Sequence, residues 1–124
     1  MILDASVLIG LLDRKDAHHR RAVSEVEAAD RELRRLLAPA SAYSEALVAF
    51  ARAKRVTDAK DAIAGMGISV APLTAPIAER AAELRARHTS LRLPDAIVLA
   101  TAEDSAGKLL TYDERLRRFA QRRR

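Results

Sequence analysis

The chain has no cysteine and no tryptophan, and only two tyrosines and two phenylalanines among its 124 residues. The missing thiols exclude disulfides and thiolate metal sites. So few rings leave little material for the base stacking by which many proteins read single-stranded RNA. No apolar run approaches the ~20 residues that span a bilayer, and the N-terminus lacks the charged-then-apolar pattern of a signal peptide, so a cytoplasmic protein is expected. Acid is also missing from residues 115 to 124, which hold six arginines. The net charge of +5 is therefore localised, because residues 1 to 114 carry 16 basic against 17 acidic residues. A chain of this length is expected to form a single domain over residues 1 to 124, burying about two thirds of its unfolded surface, with a basic tail at about 115 to 124.

What is present is a pattern of short apolar runs alternating with helical periodicity. Met1 to Leu3, Leu36 to Ala38, Ile68 to Ala71 and Lys108 to Thr111 read as strands. Between and after them, the spacing predicts helices over Ala5 to Leu12, Ala17 to Ala29 capped by Asp16, Ala42 to Ala53 capped by Ser41, and Thr57 to Ala64. Another carries Ile77, Ala81 and Leu84 on its face, and a final one covers Glu114 to Ala120. The run Leu93 to Ala102, LPDAIVLATA, has apolar residues on all sides and reads as a buried helix, with Pro94 suited to its first position and Asp95 in its first turn. This alternation predicts an α/β fold with a mainly parallel central sheet of four or five short strands flanked by helices. His18 and His19 are adjacent, project on different sides of a helix and cannot hold one metal together.

Four acids fall where such a fold gathers its ligands. In an open parallel sheet the strand C-termini and the N-termini of the following helices share one edge. Asp4 and Asp113 end strands at that edge, while Asp95 and Glu45 are expected in the first turns of helices that begin there. Glu45 is moreover an acid among Ala42, Val48 and Ala49. Singly, each has an ordinary reading as a cap or a first-turn charge. Together they would repel and desolvate one another unless a cation neutralised them, and a hard divalent ion such as Mg²⁺ or Mn²⁺ prefers such oxygen ligands.

The stretches Asp4-Ala5-Ser6, the SEALV helix around Glu45, Leu93-Pro94-Asp95-Ala96 and Thr111-Tyr112-Asp113 together resemble the motifs of PIN-domain ribonucleases. LPDAIVLATA, with the Gly67-Ile68 strand and His18-His19, is most similar to the VapC toxins of bacterial VapBC toxin–antitoxin pairs. The resemblance covers essentially the whole chain. It implies a three-layer PIN domain acting in the bacterial cytoplasm as a metal-dependent endoribonuclease on tRNA, rRNA or mRNA. Asp4, Glu45, Asp95 and Asp113 would be both catalytic and Mg²⁺- or Mn²⁺-binding, with Ser6 and Thr111 supporting them by hydrogen bonds. It also implies a cognate VapB-type antitoxin, a homodimer and a toxin–antitoxin hetero-oligomer. Ala5 departs from the family, which often has a hydroxyl residue there.

Beside such a site, Arg87, Arg92, Arg122, Arg123 and Arg124 are expected to attract the RNA backbone, a sequence-independent and salt-sensitive contribution. An aspartyl-phosphate phosphatase would need a second acid two residues after Asp4, where Ser6 stands, and a receiver-type signalling domain would need paired acids after the first strand. A non-catalytic PIN-type RNA- or protein-binding module is the remaining alternative.

Overall fold

The computed structural model describes residues 1 to 122. Its elements run β1 (Ile2–Leu3), α1 (Ala5–Leu12), α2 (His19–Arg31), β2 (Leu36–Pro39), α3 (Ala40–Arg52), α4 (Val56–Gly65), β3 (Ile68–Ala71), α5 (Ala75–Arg87), α6 (Leu93–Ser105), β4 (Leu109–Leu110) and α7 (Glu114–Arg122). The strands form one parallel sheet in the order β3-β2-β1-β4, flanked by these seven helices. Ile2 pairs with Leu37 on one side and Leu109 on the other, so β1 is central. After β1 the chain steps outward through β2 to β3, then returns to the opposite side of β1 for β4. The switch point therefore lies between the C-terminal ends of β1 and β4, the place where an open parallel sheet leaves a crevice for ligands.

Two residues suffice for β1 because Ile2 and Leu3 are fully buried, as a strand covered on both faces requires. Helix α6 is buried at Ala96, Val98, Leu99, Ala100 and Thr101, in keeping with its all-round apolar pattern. Thr101 satisfies its buried hydroxyl within the helix by donating to the Ile97 carbonyl at 2.7 Å. The helix ends with Ala106 in the left-handed region (φ 52°), and the Gly107 N–H closes the turn on the Ala102 carbonyl at 3.0 Å. Gly107 itself is required by proximity: a Cβ there would lie 2.9 Å from Cγ1 of Ile2.

Two predicted caps are spent differently. Asp16 does not cap α2, which starts at His19. Its carboxylate instead accepts the His18 N–H at 2.9 Å in a local turn, the usual competitor to helix capping for a short acidic side chain. Ser41 is already inside α3, which starts at Ala40 directly after Pro39. Its hydroxyl reaches across to donate to the Pro94 carbonyl at 3.0 Å, joining the starts of α3 and α6. The final helix extends through Arg122, so that Arg115, Arg117, Arg118 and Arg122 are ordered on it; Arg123 and Arg124 lie outside the described residues.

Candidate active site

Asp4 follows β1 directly and caps α1, with extended backbone (φ −83°, ψ 179°) and its side chain accepting from the Val7 N–H at 3.3 Å. The same oxygen, Oδ1, accepts from the Ser6 hydroxyl at 2.6 Å, while Oδ2 accepts from the Thr111 hydroxyl across the switch point. Each hydroxyl is also an acceptor: Ser6 Oγ receives the Tyr112 N–H at 2.9 Å and Thr111 Oγ1 the Asp113 N–H at 3.0 Å. Two side chains thus tie the end of β1 to the turn between β4 and α7. Three donors are within hydrogen-bond distance of this carboxylate, and the Ser6 backbone N–H also favours its charged form. Asp4 is only 5% exposed, and burial pushes its carboxyl above the ordinary value, against the Ser6 and Thr111 hydrogen bonds that pull it down.

Asp113 is exposed, and one of its oxygens accepts from the N–H groups of Arg115 and Leu116 at 2.9 and 3.2 Å, which starts α7. Asp95, in the first turn of α6, is half-buried and accepts no hydrogen bond among the described residues. Burial raises its carboxyl above the ordinary value; Arg92 opposes this, and Glu45, Asp113 and Asp4 add to it. Asp95 thus feels the other three acids, although they come from separate segments. Glu45 falls in the second turn of α3 rather than the first, because the helix starts at Ala40 and not after a Ser41 cap; it is half-buried and paired with Arg92, Nη2 to Oε1 at 3.1 Å. The Ser41 contact to Pro94 brings α3 and α6 close enough for this.

Among the described residues, no three acidic or imidazole side chains stand close enough to hold one ion between them. The acids converge on one edge without closing a ligand shell. Their donors are all carboxylate oxygens, crowded enough to repel, which is the chemistry that suits a hard divalent cation; Arg92 is the cation now seated among them. Asp4, Asp95, Asp113 and Glu45 are the residues that would hold such an ion, with Glu45 giving up Arg92 and the side chains drawing closer than they stand here.

The histidines do separate work. His18 stacks on Tyr112 at 4.6 Å, and the His19 ring contacts the Gly10 carbonyl at 2.7 Å. Tyr112 is further held by its hydroxyl on Glu25 at 2.9 Å, and burial, then Glu25, push that phenol up. Of the residues expected to meet RNA, Arg92 is the partner of Glu45, while Arg87 and Arg122 are exposed and line a common cleft. Sequence reasoning missed Ser41 as a tie, Arg92 as a counter-ion and Tyr112 as a clamp on α2. Only for Tyr112, placed between Thr111 and Asp113, was there a local signal.

The fold has solved relatives. A toxin–antitoxin complex from Klebsiella pneumoniae contains a chain 26% identical to this one, with a TM-score of 0.73 over 90% of this chain and 85% of that one. The sarcin–ricin loop cleaving toxin VapC20 of Mycobacterium tuberculosis is 19% identical, with a TM-score of 0.72 over 94% and 92% of the two chains, and shares the fold. No curated protein sequence matches significantly. The PIN domain profile matches residues 1–122, so the chain belongs to the PIN-domain family, whose members are typically nucleases and generally metal-dependent.

Proposed function

We propose that the protein is a metal-dependent endoribonuclease toxin that hydrolyses RNA phosphodiester bonds in the cytoplasm and is neutralised by a cognate antitoxin. The observation that carries this reading is geometric: Asp95 and Asp113 line one small cavity with Arg92, which is paired with Glu45, while Thr111 ties Asp4 to the turn that carries Asp113. Carboxylates that destabilise one another at a ligand-binding edge serve no purpose for folding, and they are matched by a divalent ion and the phosphate it accompanies. When bound, Mg²⁺ or Mn²⁺ supplies charge neutralisation and an activated water for in-line attack on phosphorus. The chain's own part is to hold Asp4 rigidly through Ser6 and Thr111, to keep Asp95 unpaired, and to release Glu45 from Arg92.

The similar Klebsiella chain in a toxin–antitoxin complex supports an antitoxin partner here. The Arg92–Glu45 pair shows how a guanidinium can occupy an acid of the site, and a cationic antitoxin side chain would act in the same way from another chain. A homodimer and a hetero-oligomer with the antitoxin complete the proposal.

The test is RNA cleavage by purified protein with Mg²⁺ or Mn²⁺, and with excess EDTA. Cleavage in the first and none in the second is expected. Cleavage that persists in EDTA would overturn the metal role, whereas RNA binding without cleavage under any condition would leave a non-catalytic RNA-binding module.

A further inference from the structure

Beside the carboxylates lies a cleft of about 370 Å³ between the turn after α5 and α7, walled by Arg87, Arg115, Arg118 and Arg122 with His88 and Ser90. A smaller cavity of about 50 Å³, lined by Asp95, Asp113 and Arg92, shares Ser90, Arg115 and Phe119 with it. The acids and the arginines thus share a wall. Arg115 forms much of it, its guanidinium donating to the Ser90 carbonyl at 3.0 Å.

Among the described residues, the charge in this cleft has no carboxylate paired with it. Arg21, Arg55, Arg80, Arg92 and Arg117 each pair with a carboxylate. Among the described residues, none of Arg87, Arg115, Arg118 and Arg122 does so. Arg122 lies over the Phe119 ring at 5.4 Å and Arg118 donates to its own helix at the Glu114 carbonyl, contacts that orient the side chains without neutralising them. The opposite flank differs: there Glu45 borders a groove lined by Ile9, Leu12, Ala46, Ala49 and Phe50, whose two arginines, Arg14 and Arg55, share the lining with Asp13 and Glu45, and Arg55 is paired with Asp58.

We infer that the arginine cleft binds the sugar–phosphate backbone of the RNA on one side of the scissile phosphate, so that the strand passes from the carboxylates over Arg115 towards Arg87 and Arg118. This inference rests on the RNA-cleaving reading of the acids. A lone anion gains nothing from a position beside repelling carboxylates. A polyanion does, because the phosphates beside the one at the acids meet guanidinium forks, which suit phosphate oxygens whether or not a divalent ion is bound. Phe119 is buried and His88, edge-on to it at 5.5 Å, is the one other ring in the cleft, so phosphates rather than bases dominate the contact. The outcome is asymmetric substrate binding, tight on the α7 side and loose beside Glu45.

The experiment measures anisotropy of a fluorescent single-stranded RNA with the full chain in EDTA, across a salt series, so that it does not depend on catalysis. Three proteins are compared: the parent, Arg87→Gln/Arg118→Gln, and the charge-matched Arg14→Gln/Arg55→Gln on the apolar flank. Both pairs are exposed, and thermal unfolding checks that each variant folds. Loss of two phosphate contacts should flatten the plot of log Kd against log salt by about 1.4, at ~0.7 per contact for single strands, and weaken binding several-fold, with the control pair near the parent. An unchanged slope for Arg87→Gln/Arg118→Gln overturns the inference, and so does an equal loss in both double variants, which would mean diffuse charge only. Unchanged RNA binding with lost binding of a labelled oligoglutamate peptide would make the cleft a site for an acidic protein segment instead. None of these results depends on whether the acids cleave RNA.

Discussion

The two halves of the acidic edge are held by opposite means. Asp4 is buried and fixed by the Val7 N–H and by the hydroxyls of Ser6 and Thr111, which in turn accept from the Tyr112 and Asp113 N–H groups in the turn before α7. Glu45 is half-buried and fixed by one ion pair to Arg92, a residue 47 positions away whose side chain is 59% exposed. The first half is a closed hydrogen-bond web in which each group costs free energy if abandoned. The second is a partly exposed ion pair worth about 0.2–1 kcal/mol. In the metal-binding reading proposed above, an arriving cation would find Asp4 already in place and would have to win Glu45 from Arg92. Rigidity on one side and easy release on the other suit a site that binds and discharges an ion with its substrate.

The largest expected effect comes from breaking the rigid half. Asp4→Ala removes the acceptor of two hydroxyls and a backbone N–H. Losing the cap costs about 0.5–2 kcal/mol, and each donor left unpaired in the interior about 1–3 kcal/mol. Thermal unfolding should show a marked loss of stability, and cleavage should vanish. Asp4→Asn keeps an acceptor and should recover much of the stability while remaining inactive. If Asp4→Asn cleaved RNA as well as the parent, Asp4 would be a cap alone.

Asp95 tests whether the halves share one field. As a helix-start charge alone, its replacement by Asn should destabilise by roughly 0.3–1 kcal/mol. As one of four repelling acids, it should leave the metal-free protein as stable as the parent or more so. The variant should also gain less stability from Mg²⁺, because a ligand stabilises only what it binds, and cleavage should be nearly lost. Lower metal-free stability with parental cleavage per folded molecule would remove Asp95 from the site.

The pH dependence follows from the same raised carboxyl. A group whose folded pKa lies above its unfolded value of about 3.8 binds more protons in the folded state between the two, so its contribution is fully present below the unfolded value and is lost as pH rises through the folded one. The metal-free stability of the parent minus that of Asp95→Asn should therefore fall as pH rises through that window and be flat above it. Urea titrations at several pH values would show this, and a difference that rises with pH would contradict the burial and repulsion at Asp95.

The smallest effect is expected in the soft half. Arg92→Gln frees Glu45 and should change stability by less than about 1 kcal/mol, yet the protein should reach half-maximal Mg²⁺ stabilisation at lower Mg²⁺. An unchanged Mg²⁺ midpoint would show that Arg92 does not compete for the acid.

How far the sequence could be read depended on distance along the chain. The strands, the buried helix after Pro94 and the place of Asp4 were legible because each is announced by its immediate neighbours. Ser41 was misread as a cap because local spacing says nothing of a carbonyl 53 residues away. The Arg92–Glu45 pair was hidden for the same reason. Asp16 shows a local ambiguity, since the same side chain can cap a helix or close a turn two residues on, and packing of α2 decides between them.

Gly107 extends the reach of the site to a position that touches none of its acids. Its Cα backs onto Ile2, a buried residue of a two-residue strand, and Asp4 follows that strand without an intervening loop. There is no slack between them in which a displacement could dissipate. One added methyl group at position 107 would press on Ile2, two residues before Asp4, so the placing of the best-held carboxylate is set partly from the far end of the strand, by the absence of a side chain.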